Sequence, residues 1–266
     1  WSSVEGLPKN LISEKTYRGV NLFLLAFSGY SSPFWMTYRQ AKQLGGHVKK
    51  GEQGWPVIFW KDLRREREDE EEDADEERPL FVARYYTVFN ATQTEGVDFA
   101  EPEVQNPDFD PIIRCEQIVA QMPDRPQIFH EEQRAYYNPK CDVVNVPAGE
   151  YFIGEPEYYS TLFHELVHST GHESRLNRSS LSETKGFGSD PYCREELVAE
   201  MTAAMLCGYA GIDGKTLENS AAYIQHWMEK LEEDPKLVIS AASQAQKAAD
   251  YVLGSSLAGP IDDSQR

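Results

Sequence analysis

The run YSTLFHELVH, Tyr159 to His168, places two histidines and a glutamate within an apolar, helix-compatible stretch. Burying those polar groups is costly unless something satisfies them, so the fold has to bring further partners to this segment. On a helix, residues four apart share a face, and the imidazoles of His164 and His168 converge on one point. The pattern is HExxH and the ion it suits is zinc, which accepts histidine nitrogen at roughly 2.0 to 2.1 Å and keeps a water beside three protein ligands in catalytic sites. Glu165 follows the first histidine directly, so its carboxylate is expected beside that water and not on the metal. There it would act as general base and later as proton donor to a leaving amine. The chemistry implied is hydrolysis of a peptide bond.

The third ligand has to come from another element. Asp190-Pro191 reads as a helix start, with aspartate as N-cap and proline at the first helical position, and Gly208 reads as its stop. That helix carries Glu195, Glu196 and Glu200 in the string REELVAEM. Glu196 and Glu200 share a face, so one can bind the metal while the other hydrogen-bonds a ligand imidazole from behind. We assign Glu196 to the metal and Glu200 behind it, an order the spacing alone leaves open to exchange. His172 competes for the third place but lies just past Gly171, where the first helix is expected to end. Tyr192 is a candidate for oxyanion stabilisation or for packing. His130 and His226 have no such companions and read as structural. A metal-dependent nuclease fits less well, since phosphodiester cleavage more often uses carboxylate-rich two-metal sites.

A formal charge of -18 argues against nucleic acid only until it is divided along the chain. Residues 1 to 60 hold seven Lys or Arg against three Glu, a net of +4, whereas Asp62 to Arg78 hold eleven acids against four Arg, a net of -7. The acidic run lacks an apolar anchor and is expected to form an extended, solvated, mobile loop. Before it, Thr37 to Leu44 reads as a helix ended by Gly45-Gly46. His47 to Lys50 and Trp55 to Lys61 read as strands joined by a hairpin turn at Gly51 to Gly54, and Phe81 to Asn90 as a third strand. Arg39, Lys42, Lys49 and Lys50 are expected to meet phosphates, and Tyr38 and Trp55 to stack on bases, the two ingredients of non-specific single-strand binding. Trp35, Phe23, Phe27 and Phe59 are expected to pack in the core.

At 266 residues the chain is long enough for two cores. Five prolines between residues 97 and 127 mark the joint, giving domains 1–105 and 106–266. In the second, Asp110 to Gln121 reads as a helix and Cys141 to Val146 as a strand to which an extended peptide could add. Helical periodicity begins at Glu155, and Asp234-Pro235 opens a last helix to about Leu253. Cys115, Cys141, Cys193 and Cys207 lack CxxC spacing and read as buried free thiols in a reducing compartment. No apolar run approaches the ~20 residues that cross a bilayer. A cytoplasmic location with no membrane partner is expected.

Longer strings carry a resemblance. YYSTLFHELVHSTGHESRLNR, FGSDPYCREELVAEMTAAMLC and the stretch from Ala135 to Pro147 resemble the metallopeptidase domain of ArdC-like antirestriction proteins of plasmids and other mobile elements. GVNLFLL, FWMTYRQAKQLGGHVKKGEQG and YYTVFNATQTEG resemble the single-stranded-DNA-binding domain joined to that peptidase in the same family. The likeness implies an α+β fold, with a small α+β DNA-binding domain followed by a mostly helical zincin-like domain that has a small sheet and a glutamate as third ligand. It also implies one Zn2+ per chain, or another divalent metal in its place, single-stranded DNA and an unidentified protein substrate as partners, and protection of incoming DNA from restriction in a bacterial cytoplasm. The long acidic insert departs from the family pattern. It keeps open an alternative, a non-catalytic protein that coats or mimics DNA and uses its metal structurally.

Overall fold

Strand β1 (Lys9–Asn10), β2 (Phe34–Thr37), β4 (Trp55–Asp62) and β5 (Phe81–Asn90) form a sheet in the order β1-β2-β5-β4. The computed structural model describes residues 7–26, 28–62, 81–99, 110–182, 190–212 and 235–254. Alternation makes the sheet two-faced. Register pairs Trp55 with Val88 and Val57 with Tyr86, so these side chains share one face, where they pack with buried Trp35 and with Phe59. The helix α1 (Val20–Ala26) lies along the β4 edge, and Asn21 bonds both the carbonyl and the N–H of Ile58 at 2.7 Å. Two otherwise unpaired edge groups are thereby satisfied.

The opposite face is roofed at its β2 end by α2 (Tyr38–Gln43), which buries Met36 and Ala41. Thr37 and Gln40 form a capping box at its start. At its end Gly45, at φ 84, and Gly46 return their N–H groups to the carbonyls of Lys42 and Ala41, the left-handed termination expected of this glycine pair.

The expected hairpin between His47–Lys50 and Trp55–Lys61 does not form. Instead β3 (His47–Val48) pairs antiparallel with β6 (Thr94–Glu95). The string HVKK has no apolar alternation to match Trp55, Val57 and Phe59, and β4 takes β5 instead. Gln93 pins the turn between β3 and β4, donating to Glu52 at 2.8 Å and to the Gln53 carbonyl at 2.9 Å.

The C-terminal part opens with α3 (Pro111–Gln121), over the span expected of it and capped by the Asp110 side chain. A three-stranded sheet follows, β7 (Gln127–Phe129), β8 (Tyr136–Asn138) and β9 (Val143–Asn145), in the order β7-β9-β8. Because β9 is paired on both sides, the strand expected to accept a peptide has no free edge; β8 does. Four helices complete this part, α4 (Glu155–Thr170), α5 (Ser179–Ser182), α6 (Asp190–Ala210) and α7 (Pro235–Val252) among the described residues. Leu162, Phe163 and Leu166 of α4 interlock with Leu197, Met205 and Leu206 of α6 and with an alanine stripe on α7. Gly208 does not stop α6: the helix runs on to Ala210, and Gly211, at φ 79, closes it with Ile212 N–H returning to the Cys207 carbonyl at 3.0 Å. All four thiols are free, but only Cys115 and Cys207 are buried; Cys193 is half-buried and Cys141 is exposed on the turn beside Asp142.

Helix α1 belongs to both cores. Leu25 packs with the N-terminal sheet, whereas Leu22 and Phe23 enter the core of α4, α6 and α7. Arg18 pairs with Asp250, and the Gly19 N–H donates to Gln246 Oε1 at 3.0 Å. The acidic run from Leu63 onward, Phe27, His226 and the expected boundary at residue 105 lie outside the described residues. No helix among the described residues is long and apolar enough to cross a membrane.

Replacing Leu22, 1% exposed at this junction, with alanine is expected to cost about 2–5 kcal/mol in urea unfolding. A loss near zero would show that the shared core contributes little.

Candidate metal centre

The α4 sequence puts its large apolar residues against α6 and leaves His164 and His168 on the flank that meets the glutamates of α6. His164 Nε2 and His168 Nε2 lie 3.1 Å apart, and each is 3.5 Å from an oxygen of Glu196. A tetrahedral ion with bonds near 2.1 Å would set its ligand atoms about 3.4 Å apart. His164, His168 and Glu196 form the group among the described residues with ligand atoms close enough to share one ion.

The outward nitrogens explain why the Nε2 atoms face inward. His164 Nδ1 is 3.3 Å from Glu200 Oε1, and His168 Nδ1 is 3.3 Å from Glu195 Oε1. A proton on each Nδ1 satisfies these carboxylates and leaves two Nε2 lone pairs aimed at the same point beside an anionic oxygen, an arrangement that needs a cation between them. The donor set therefore fits a divalent metal, with Glu196 in the inner position and Glu200 behind it. His172 is not in the group; its ring engages Ser174. Tyr192 hydrogen-bonds Glu196. His130 is tied to the Val146 carbonyl at 2.8 Å.

One element of the site escapes sequence reasoning. Glu195, 3% exposed, is gripped by Arg178, by the Ser180 hydroxyl at 2.6 Å and by His168. Arg178 also donates to the Val167 carbonyl at 2.8 Å and to Thr170. Burial works to raise the Glu195 carboxyl, but the bonds from His168 and Arg178 outweigh it and bring it to about 2. In REELVAEM this glutamate is indistinguishable in type from its neighbours, and its cation lies 17 residues upstream with no periodic link.

The other pKa values follow the same logic. Burial works to lower the His164 imidazolium, yet Glu196 and Glu200 override it and raise it to about 10. Glu165 is 8% exposed, and burial raises its carboxyl above the ordinary glutamate range. The backbone of Tyr137 in β8 works against that rise. Tyr137 in turn donates to Asp142, which Arg175 holds through two bonds of 2.8 Å.

Of the residues expected to meet DNA, Arg39, Lys42, Lys49 and Lys50 are exposed, Lys49 reaching the Thr92 carbonyl at 2.9 Å. Tyr38 is exposed under the Lys42 ammonium. Trp55 is not on their surface: it turns to the inner face and packs beside Val57 and Val88. Trp35 and Phe23 are buried and Phe59 packs against the sheet core, as expected.

Residues 1–89 match the family described as the N-terminal domain of anti-restriction factor ArdC, and residues 114–244 match a zincin-like metallopeptidase family. The uncharacterized protein y4eC of Sinorhizobium fredii (strain NBRC 101917 / NGR234) is 36% identical over 253 residues, covering 92% of this chain and 80% of that protein. DNA primase TraC of Escherichia coli is 36% identical over 264 residues, but the match spans only 24% of its length. Among solved structures, the antirestriction ArdC protein from the R388 plasmid is similar in its Mn(II)-bound form, at 35% identity and a TM-score of 0.70 over 93% of this chain and 88% of that one. Its metal-free form gives 36%, 0.69, 93% and 87%.

Metal must displace the proton that His164 holds in the metal-free protein. Because that pKa is raised, affinity is expected to climb about tenfold per pH unit between pH 6 and 8, with one proton released per ion. Titration calorimetry in buffers of different ionisation enthalpy measures this; a flat profile would refute the protonated state. Glu195→Gln, by loosening His168, is expected to weaken metal binding about 10- to 100-fold, read from competition with a chromogenic chelator.

Proposed function

Because the chain belongs to the ArdC-like antirestriction family and carries its zincin-like domain, we propose that it is a metal-dependent peptidase tethered to single-stranded DNA. The observation that carries the peptidase reading is the convergence of His164, His168 and Glu196 beside a buried Glu165. Those three residues would hold the ion, and zinc is the ion that two imidazoles and a carboxylate suit best. When bound, the ion supplies Lewis acidity, polarising a carbonyl and making water more acidic.

Glu165 does the proton chemistry. As a carboxylate it accepts a proton from the attacking water, and as a carboxylic acid it returns that proton to the leaving amine nitrogen. Burial raises its pKa toward working pH, which suits a group that must do both. Strand β8, whose Tyr137 backbone acts on the Glu165 carboxyl, has an edge that β9 does not occupy. An extended substrate laid along that edge would present its backbone to the site by strand addition, so cleavage would depend on backbone more than side chain.

The alternative, a metal that only holds the fold together, predicts collapse on metal removal. The R388 relative is known both with Mn(II) and metal-free, and this chain resembles the two forms about equally. We infer that here too the apo domain folds. The N-terminal part supports DNA binding through its family and its exposed cations, and four free thiols fit a reducing cytoplasm. The cleaved protein would be one met during DNA entry, consistent with an antirestriction role.

The Glu165→Gln variant is expected to keep its metal and its DNA affinity and to lose peptide cleavage by about 10²- to 10⁴-fold. Stoichiometric metal with undiminished cleavage would overturn the assignment of the base. Equal protection of DNA from restriction by that variant and by the parent protein would favour the non-catalytic reading.

A further inference from the structure

Strand β5 sends alternate side chains to opposite faces of the N-terminal sheet. Tyr86 and Val88 face the core, so Tyr85, Thr87 and Phe89 face outward. Helix α2 covers this outer face only at its β2 end, where Met36 is buried opposite Phe89. Among the described residues no helix covers the remainder. Tyr85 is 70% exposed and Tyr38 is 49% exposed. Tyr38 meets Phe89 edge-on at 6.5 Å between ring centroids, and the Lys42 ammonium stands 5.1 Å from the Tyr38 ring centre. Exposed Arg39 shares α2 with Lys42, and Lys49 reaches the Thr92 carbonyl just beyond the end of β5.

A lone exposed tyrosine on a strand is ordinary. What is unusual is the line: one open ring at Tyr85, a second at Tyr38 buttressed by Phe89, and cations gathered at the second. Four residues of strand separate Tyr85 from Phe89, about 13 Å along β5. Flat rings accept any π face, and the cations beside Tyr38 select a ligand that also carries regularly spaced negative charge. The first 60 residues, which supply Tyr38, Arg39 and Lys42, are net positive in a chain of formal charge -18, so the α2 end of this face attracts such a ligand.

We propose that the outer face of β5 is the base-stacking track for single-stranded DNA, with one base on Tyr85, another on Tyr38, and phosphates held by Lys42 and Arg39. This rests on the DNA-binding reading above and adds which surface and which rings carry it. Trp55, on the inner face, takes no part.

Fluorescence anisotropy with a labelled oligothymidylate, measured across a salt series, tests it on the full chain. Tyr85→Ala and Tyr38→Ala are each expected to weaken binding about tenfold without changing the salt slope, because stacking releases no counterions. Tyr85→Phe keeps the ring and is expected to bind within about twofold of the parent protein. Lys42→Ala is expected to reduce the slope of log K against log salt by about 0.7. Unchanged far-UV spectra establish that each variant is folded. If the parent protein binds the oligonucleotide and both tyrosine-to-alanine variants bind as tightly, the track is refuted while the DNA-binding reading survives. If Tyr85→Phe falls as far as Tyr85→Ala, the contact is through the hydroxyl and stacking is refuted. If the parent protein fails to bind, both readings fall together.

Discussion

The buried pair of Arg178 and Glu195 fixes the metal centre more firmly than any ligand does. Both side chains are 3% exposed, and two charges removed from water are costly unless every remaining donor and acceptor is paired. Here they are paired. Arg178 spends its other N–H groups on the Val167 carbonyl and Thr170 at the end of α4, while Glu195 also takes the Ser180 hydroxyl and faces His168 Nδ1. One ion pair thus fastens the last turn of the histidine helix, the loop after it and the glutamate helix to one another. Glu196, the next residue along α6, is placed against the two imidazoles as a consequence.

The parts of the site legible in the sequence are those that obey a helical period. His164, Glu165 and His168 announce themselves by spacing, and Glu196 with Glu200 by theirs, because side chains four apart must share a face whatever the tertiary fold. Glu195 is off that face and acts through an arginine from a different segment, so no window of sequence contains the relationship. Local rules also placed α2, β5, α3 and α7 close to their observed limits, since each has a cap or a clear alternation. They failed where two residues of one type compete. Both Gly208 and Gly211 could end α6, and only the positive φ of Gly211 decides between them. Pairing partners were equally hidden: β3 joins β6 because Gln93 ties the turn across more than 40 residues, a tertiary fact. The face that Trp55 takes was hidden for the same reason, since alternation shows that a face exists but not which face is inside.

Helix α1 is too short for a period to be read, yet it links the two halves. It offers Asn21 to the edge of β4, Leu25 to the sheet core, and Leu22 and Phe23 to the core under α7. From α7 the packing continues to α6 through Thr202, whose hydroxyl reaches the Ala245 carbonyl at 3.2 Å, and α6 carries the glutamates that face the histidines. The outer face of β5 and the cluster of His164, His168 and Glu196 therefore share a continuous body of packed side chains. Continuity of this kind transmits a signal only if some element in it has two arrangements of similar energy. α1, anchored at its start by the hydrogen bonds of Gly19 and Asn21 and along its length by apolar contacts with both cores, is better suited to holding the two sites at a fixed separation than to moving between states.

A fixed separation has its own use. If the N-terminal part holds single-stranded DNA on its outer face as proposed, a protein bound to the same strand would be brought to the β8 edge at a high local concentration, and weak recognition by backbone pairing would suffice for cleavage. The charge distribution reinforces this division. Cations gathered before residue 60 would attract a phosphate backbone, while the acidic remainder of the chain would repel it. Selectivity would then reside in what travels with the DNA, and the hydrolytic centre needs no pocket that reads a particular side chain.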